Sequence, residues 1–173
     1  MLFRSLTGEL NGKVLVHLDP QLNSFMLEVN DCIDQYLASM NVEYNIHFMK
    51  TWYAISGEDC SVPNHCHDPA HISWVYYIQT PGDPIVFHKK NSNEWFGDAF
   101  KFSNHYTYTN MEGYAINPKA ERLVIFPGSL EHYTTAEPRK HRRISLAGDV
   151  ILTLKDRTNS ESGLLSPQFW KHF

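Results

Sequence analysis

The chain contains one stretch, and only one, with the repeat of a packed helix. Leu22, Phe25, Met26, Val29, Ile33, Tyr36 and Leu37 recur every three or four positions, which aligns them on a single helical face. Asp19-Pro20 just upstream supplies a cap and a first-turn proline, so the pattern predicts a helix over residues 21–40. Beyond it the chain is a series of short apolar runs cut by Gly, Pro, Asn and Asp. The runs at 43–55, 71–79, 85–88, 122–126, 131–135 and 142–154 predict strands, with turns at Pro81-Gly82-Asp83-Pro84 and Pro127-Gly128. Many short strands at close spacing imply a sandwich or barrel. With one helix packed outside it, the fold class is mainly β, α+β in the loose sense.

Two segments carry separate expectations. Residues 2–18 read as two short strands around Asn11-Gly12, a dipeptide suited to a tight hairpin turn. Residues 89–118 have no strand pattern but hold Trp95, Phe96, Phe100, Phe102, Tyr106, Tyr108 and Tyr114. Irregular insertions longer than about 12–15 residues are usually functional or disordered, and this aromatic content argues against disorder. The expectation is a lid over a site, with a satellite core pinning the loop as the alternative.

A length of 173 residues fits one domain over 1–173. The net charge is -4, with 15 basic against 19 acidic residues, so sequence-independent nucleic-acid binding lacks its usual driver. No run approaches the roughly 18–20 apolar residues of a membrane helix. Three cysteines without a CxxC pair, and polar residues where a signal peptide needs an apolar run, favour a reducing cytoplasm. Histidine is the compositional oddity: there are ten, and His65, His67 and His71 fall within eight positions.

In an extended segment, residues i and i+2 share a face, so His65 and His67 can grip one metal ion while Cys66 and Asp68 face away. A lone His-x-His in a loop can equally be two solvated side chains. Downstream, Leu123-Val124-Ile125-Phe126 runs into Pro127-Gly128, His132 opens a further strand, and Arg143-Ile144-Ser145 comes eleven residues later. Lys140, His141, Arg142 and Arg143 alone would read as a solvated basic face. Ile144, Leu146 and Val150 show that the chain then enters a core strand, where a guanidinium is expensive unless paired. A carboxylate suits it, because the planar fork binds one bidentately and Ser145 adds a hydroxyl.

This order of residues resembles the 2-oxoglutarate and Fe(II)-dependent oxygenases over residues 52–151. The segment from His65 to Ile78, with Ser73, Tyr76 and Tyr77, looks most like a branch of small, partly phage-encoded members. The resemblance implies a double-stranded β-helix, or jelly roll, buttressed by the N-terminal helix. It implies iron held by His65 and His132, and the remote carboxylate of 2-oxoglutarate held by Arg143 and Ser145, with Tyr77 a further donor or a plain cross-strand aromatic. The departure is His67, which stands where the family has a carboxylate. Three imidazoles can still occupy one face of an iron and leave three positions open. Asp68 is the fallback ligand, but its i+3 spacing from His65 needs a kink.

The activity implied is oxidation of a small-molecule or peptide substrate by molecular oxygen, with release of succinate and carbon dioxide. A three-His, cupin-like dioxygenase needing no cosubstrate and a non-enzymatic metal-binding β-sandwich are the rival readings. Among the other histidines, His71 is a candidate neighbour of the site. His88, His105 and His141 read as solvated, and His17, His47 and His172 suggest no partner. Trp52 reads as a core aromatic. Cys60 and Cys66 leave a structural zinc possible, although they form no CxxC knuckle.

Overall fold

A computed structural model describes residues 5–7, 14–41, 44–57, 60–88, 113–135, 142–155 and 163–171. The helix forms where its periodicity requires. Asp19 caps a 3-10 turn, Pro20–Leu22, by accepting the Gln21 backbone N–H at 2.9 Å, and this turn leads into α1, Asn23–Ser39. The helix therefore opens two residues later than the pattern predicts, because the first turn winds more tightly. It ends at Ser39, and Asn41 beyond it takes a left-handed φ of 55°.

The strands are β1 (Ser5–Thr7), β2 (Tyr44–Ser56), β3 (Val62–His65), β4 (Ile72–Gln79), β5 (Ile85–His88), β6 (Gly113–Ile116), β7 (Arg122–Pro127), β8 (Glu131–Thr134) and β9 (Arg143–Leu154). They form two antiparallel sheets, one in the order β1-β2-β9-β4-β7 and one in the order β3-β8-β5-β6. This is the jelly-roll architecture, with α1 as its outer buttress. Met26, Val29, Ile33 and Leu37 of the helix pack on Ile72, Trp74, Leu146 and Val150 of the larger sheet. Each such buried side chain is worth roughly 1.5–3 kcal/mol.

The period of two then divides the central strands. In β9 the even positions Leu146 and Val150 go under the helix, while Arg143, Ser145 and Asp149 face the other sheet. In β4, Ile72 and Trp74 face the helix and Ser73 and Tyr77 face inward. A second cluster, Tyr77, Ile85, Phe87, Val124 and Phe126, fills the space between the sheets. A register shift between Phe48 and Lys50 in β2 sets Lys50 opposite Asp149.

Two expectations are corrected here. There is no strand over 14–18: Val16–Leu18 is a 3-10 turn, and β1 pairs with the far end of β2, Ser5 opposite Ser56. Long-range pairing outweighs the local turn signal, and Asn11-Gly12 lies outside the described residues. The irregular stretch expected over 89–118 ends in a strand, since Gly113–Ile116 pairs with β5. The rest of it, 89–112 with the proposed lid aromatics other than Tyr114, lies outside the described residues. Among the described residues no helix is long and apolar enough to cross a membrane.

Candidate functional site

The smaller sheet brings the histidines together. Strand β3 pairs with β8 so that His65 stands directly opposite His132, and β5 on the other side sets Phe87 opposite His132. His67 lies two residues past β3, where its backbone N–H donates to Gly128 O at 2.8 Å and its carbonyl accepts the Ala70 N–H at 2.7 Å. Ring centroids are 4.3 Å apart for His65–His132, 5.0 Å for His65–His67 and 5.1 Å for His67–His132. The nitrogens available for a metal lie within 4.8 Å of one another, and among the described residues these three form the group able to hold an ion.

Each ring's outer nitrogen is engaged. Nδ1 of His65 bonds Pro63 O at 2.9 Å, Nδ1 of His132 bonds Leu130 O at 2.9 Å, and Nδ1 of His67 bonds Asp149 Oδ1 at 2.6 Å. Carbonyl and carboxylate oxygens only accept, so Nδ1 carries the proton in each ring and Nε2 presents its lone pair. The Nε2 atoms of His65 and His67 are 3.1 Å apart, close for two acceptors but natural for two ligands of one cation. Burial pushes the His132 pKa down to about 4; the Leu130 carbonyl opposes this and the neighbouring His65 and His67 reinforce it. His132 is thus neutral, the form that ligates metals, through the physiological range. Trp52 and Phe126 lie against His67, with ring centroids at 5.6 and 6.5 Å.

The same cavity extends to the larger sheet, where Tyr77, Arg143 and Ser145 line it. Arg143 is 5% exposed. Its Nη2 donates to Ser56 Oγ and Thr134 Oγ1, both at 3.1 Å, while the buried Nη1 has no hydrogen-bond partner among the described residues. Burial pulls the guanidinium's pKa down, and Tyr77, Asp83 and Cys60 nearby pull it back up. Tyr77 is 2% exposed, and burial pushes its pKa up to about 12 against the opposing charge of Arg143, so its hydroxyl keeps its proton. The neighbouring Arg142 is exposed.

The site residues expected from sequence thus sit in one cavity. Asp68 is exposed and accepts the Cys66 thiol at 3.5 Å, apart from the histidine group. His71 is exposed and accepts the Leu152 N–H at 2.9 Å, His47 meets Thr153 Oγ1 at 2.8 Å, and His88 stacks on Tyr133. His105, His141 and His172 lie outside the described residues. Sequence reasoning missed Asp149, which is 0% exposed and accepts His67 Nδ1–H and the Ser73 hydroxyl on Oδ1, with Lys50 Nζ 3.2 Å from Oδ2. Burial works against its charge, but His67, Ser73 and Lys50 outweigh that and hold its carboxyl below the usual range. The signal was present: a lone acid in Leu146-Ala147-Gly148-Asp149-Val150 is as expensive unpaired as the guanidinium six residues before it.

A jelly roll whose cavity brings together three histidines able to hold a metal and a buried guanidinium narrows the class of protein. The sequence profile of a family described as "putative 2OG-Fe(II) oxygenase" matches residues 50–149. The chain belongs to this family. No curated protein matches it in sequence. Among solved structures, a prolyl-4-hydroxylase from Pseudomonas putida aligns with a TM-score of 0.51 at 14% identity, over 76% of this chain and 67% of that one. A 2OG-Fe(II) oxygenase family oxidoreductase from Burkholderia pseudomallei gives 0.46 at 12% identity, over 61% of this chain and 43% of that one. A cupin domain from Bordetella pertussis gives 0.37 at 8% identity, over 62% and 92%. The chain spans less than half the length of the Burkholderia protein.

Proposed function

We propose that this chain is a 2-oxoglutarate- and Fe(II)-dependent dioxygenase in which His65, His67 and His132 hold the iron and Arg143, Ser145 and Tyr77 hold the far carboxylate of 2-oxoglutarate. The observation that carries the reading is the pairing, in one cavity, of three converging Nε2 acceptors with a buried guanidinium whose Nη1 is unpartnered among the described residues. The donor set fits both groups: neutral imidazoles suit iron, and a desolvated fork with a neutral phenol suits a carboxylate. When bound, iron and 2-oxoglutarate supply the oxidative decarboxylation that yields succinate and carbon dioxide, coupled through molecular oxygen to oxidation, most often hydroxylation, of a substrate C–H bond. The protein's own part is positional. Ser56 and Thr134 fix the guanidinium plane, Tyr77 presents a proton that stays on through neutral pH, and Trp52 and Phe126 give His67 an apolar wall. The substrate is a small molecule or a peptide.

The test is anaerobic titration with Fe(II) and then 2-oxoglutarate. The wild type should develop a weak visible charge-transfer band that His65→Ala and His132→Ala both lack. Iron binding with neither band nor calorimetric 2-oxoglutarate binding would support the cosubstrate-free, three-His alternative, in which Arg143 binds the substrate's own carboxylate.

A further inference from the structure

The three histidines are not supported alike. His65 and His132 each rest Nδ1–H on a neutral backbone carbonyl two residues upstream, whereas His67 rests it on a buried carboxylate at the shortest of the three distances, 2.6 Å. Burying a carboxylate is costly, and a strand position under a packed sheet has no structural need of one; an apolar residue of similar size would serve packing as well or better. Here the carboxylate is kept, with one further donor and one cation beside it. Ser73 donates to the same oxygen at 2.7 Å, and Lys50 meets the other at 3.2 Å, opposite Asp149 only because of the register shift in β2. The Lys50 side chain is 28% exposed, so its charge is shared with solvent, while that of Asp149, at 1%, acts in the dry interior beside the ring.

We infer that Asp149 is a positioning residue for the metal: it sets the tautomer and tilt of His67, and it supplies from behind the ring the negative charge that three neutral imidazoles lack. Ser73 and Lys50 hold the carboxylate in place for that task. The arrangement is a carboxylate–histidine–metal relay on one ligand of the three, and loss of such a partner typically weakens metal binding 10–100-fold. The inference rests on the ligand set His65, His67 and His132 proposed for the iron.

The experiment uses the full chain and Zn(II), a diamagnetic probe, with affinity read by competition against a chromophoric chelator and apoprotein stability read separately. Asp149→Asn should bind Zn(II) roughly 10–100-fold more weakly than wild type, and the gain in melting temperature on adding Zn(II) should shrink with it. A merely structural Asp149 would lower the apoprotein's melting temperature and leave both of those readings unmoved; that result overturns the inference while leaving the ligand set intact. Wild-type protein that takes up no Zn(II) overturns the ligand set and the inference together. Should Asp149→Asn not fold, the nitrogen-detected imidazole spectrum of Zn(II)-loaded wild type decides. All three rings should be metallated at Nε2, with the His67 Nδ1 proton the furthest downfield of the three because it faces a charged acceptor. A His67 metallated at Nδ1, or a His67 proton indistinguishable from those of His65 and His132, overturns the inference.

Discussion

Gly128→Ala should weaken the proposed metal site without touching a ligand. A Cβ at Gly128 would stand 2.3 Å from Ala70 O, 2.8 Å from Ala70 C and 3.0 Å from Ala70 Cβ. Carbon–oxygen contacts of this kind settle at about 3.3 Å or more, so the two segments must part by about 1 Å. The obstacle is backbone, so rotamer changes cannot relieve it. The displaced segment includes the two hydrogen bonds that tie His67 and His71 to Gly128. Overpacking typically costs about 1–3 kcal/mol, and the loss of glycine's freedom in the unfolded chain returns about 0.4–1, leaving a net loss of up to about 2.6 kcal/mol. At about 2–4 °C per kcal/mol for a chain of this size, the melting temperature should fall by up to about 10 °C. Metal binding should suffer more, because ligand distances tolerate only about 0.2 Å and His67 would move relative to His132; at least a tenfold loss of affinity is expected. Calorimetric melting with and without Zn(II) checks both numbers. Gly57→Ala is the control, since among the described residues its Cβ would meet nothing nearer than Cys60 Sγ at 4.0 Å. A Gly128→Ala protein that melts within 1 °C of wild type and binds Zn(II) equally would show that the β7–β8 turn does not clamp the His67 segment.

Two further outcomes are expected. Arg143→Met should weaken 2-oxoglutarate binding by about 1.5–3 kcal/mol, the value of the charged hydrogen bonds removed, whereas Arg142→Ala at the exposed neighbour should do far less; equal losses in calorimetry would assign the effect to surface charge. For Tyr77, the folded protein holds the phenol proton until about pH 12 while the unfolded chain releases it near pH 10, so this contribution is complete below pH 10 and lost as pH rises towards 12. Urea unfolding at stepped pH should show wild type losing roughly 2–3 kcal/mol more than Tyr77→Phe across that window, and parallel curves would contradict the buried, neutral phenol.

The sequence disclosed what depends on period and pattern. The helix stripe at Met26, Val29, Ile33 and Leu37 and the long strands were legible because burial on one face leaves a repeat. His65 and His67 were legible by parity, but His132 joined them only through a resemblance, since nothing local announces a partner 65 residues away. Strand β3 hid because Pro63 and Asn64 are poor strand formers, tolerated on a short segment that among the described residues pairs on one side. Strand β6 hid for a related reason: its four residues, Gly113 to Ile116, pair among the described residues only with β5 and bury little. Asp149 escaped because its neighbours made the strand, and a strand assignment does not ask what a single charged residue inside it is doing.

Strand β9 is bonded on both sides, to β2 and to β4, and its two faces carry unrelated duties: Leu146 and Val150 seat the helix, while Arg143, Ser145 and Asp149 serve the cavity. Such a strand can drift in evolution by replacement but not by length. Deleting one residue from its middle would turn a guanidinium or a carboxylate under the helix and a leucine into the pocket, and both neighbouring ladders would have to slip with it. Insertions and deletions in descendants of this chain should therefore gather in connections, or be absorbed on β2, whose ladder already accommodates one extra residue between Phe48 and Lys50.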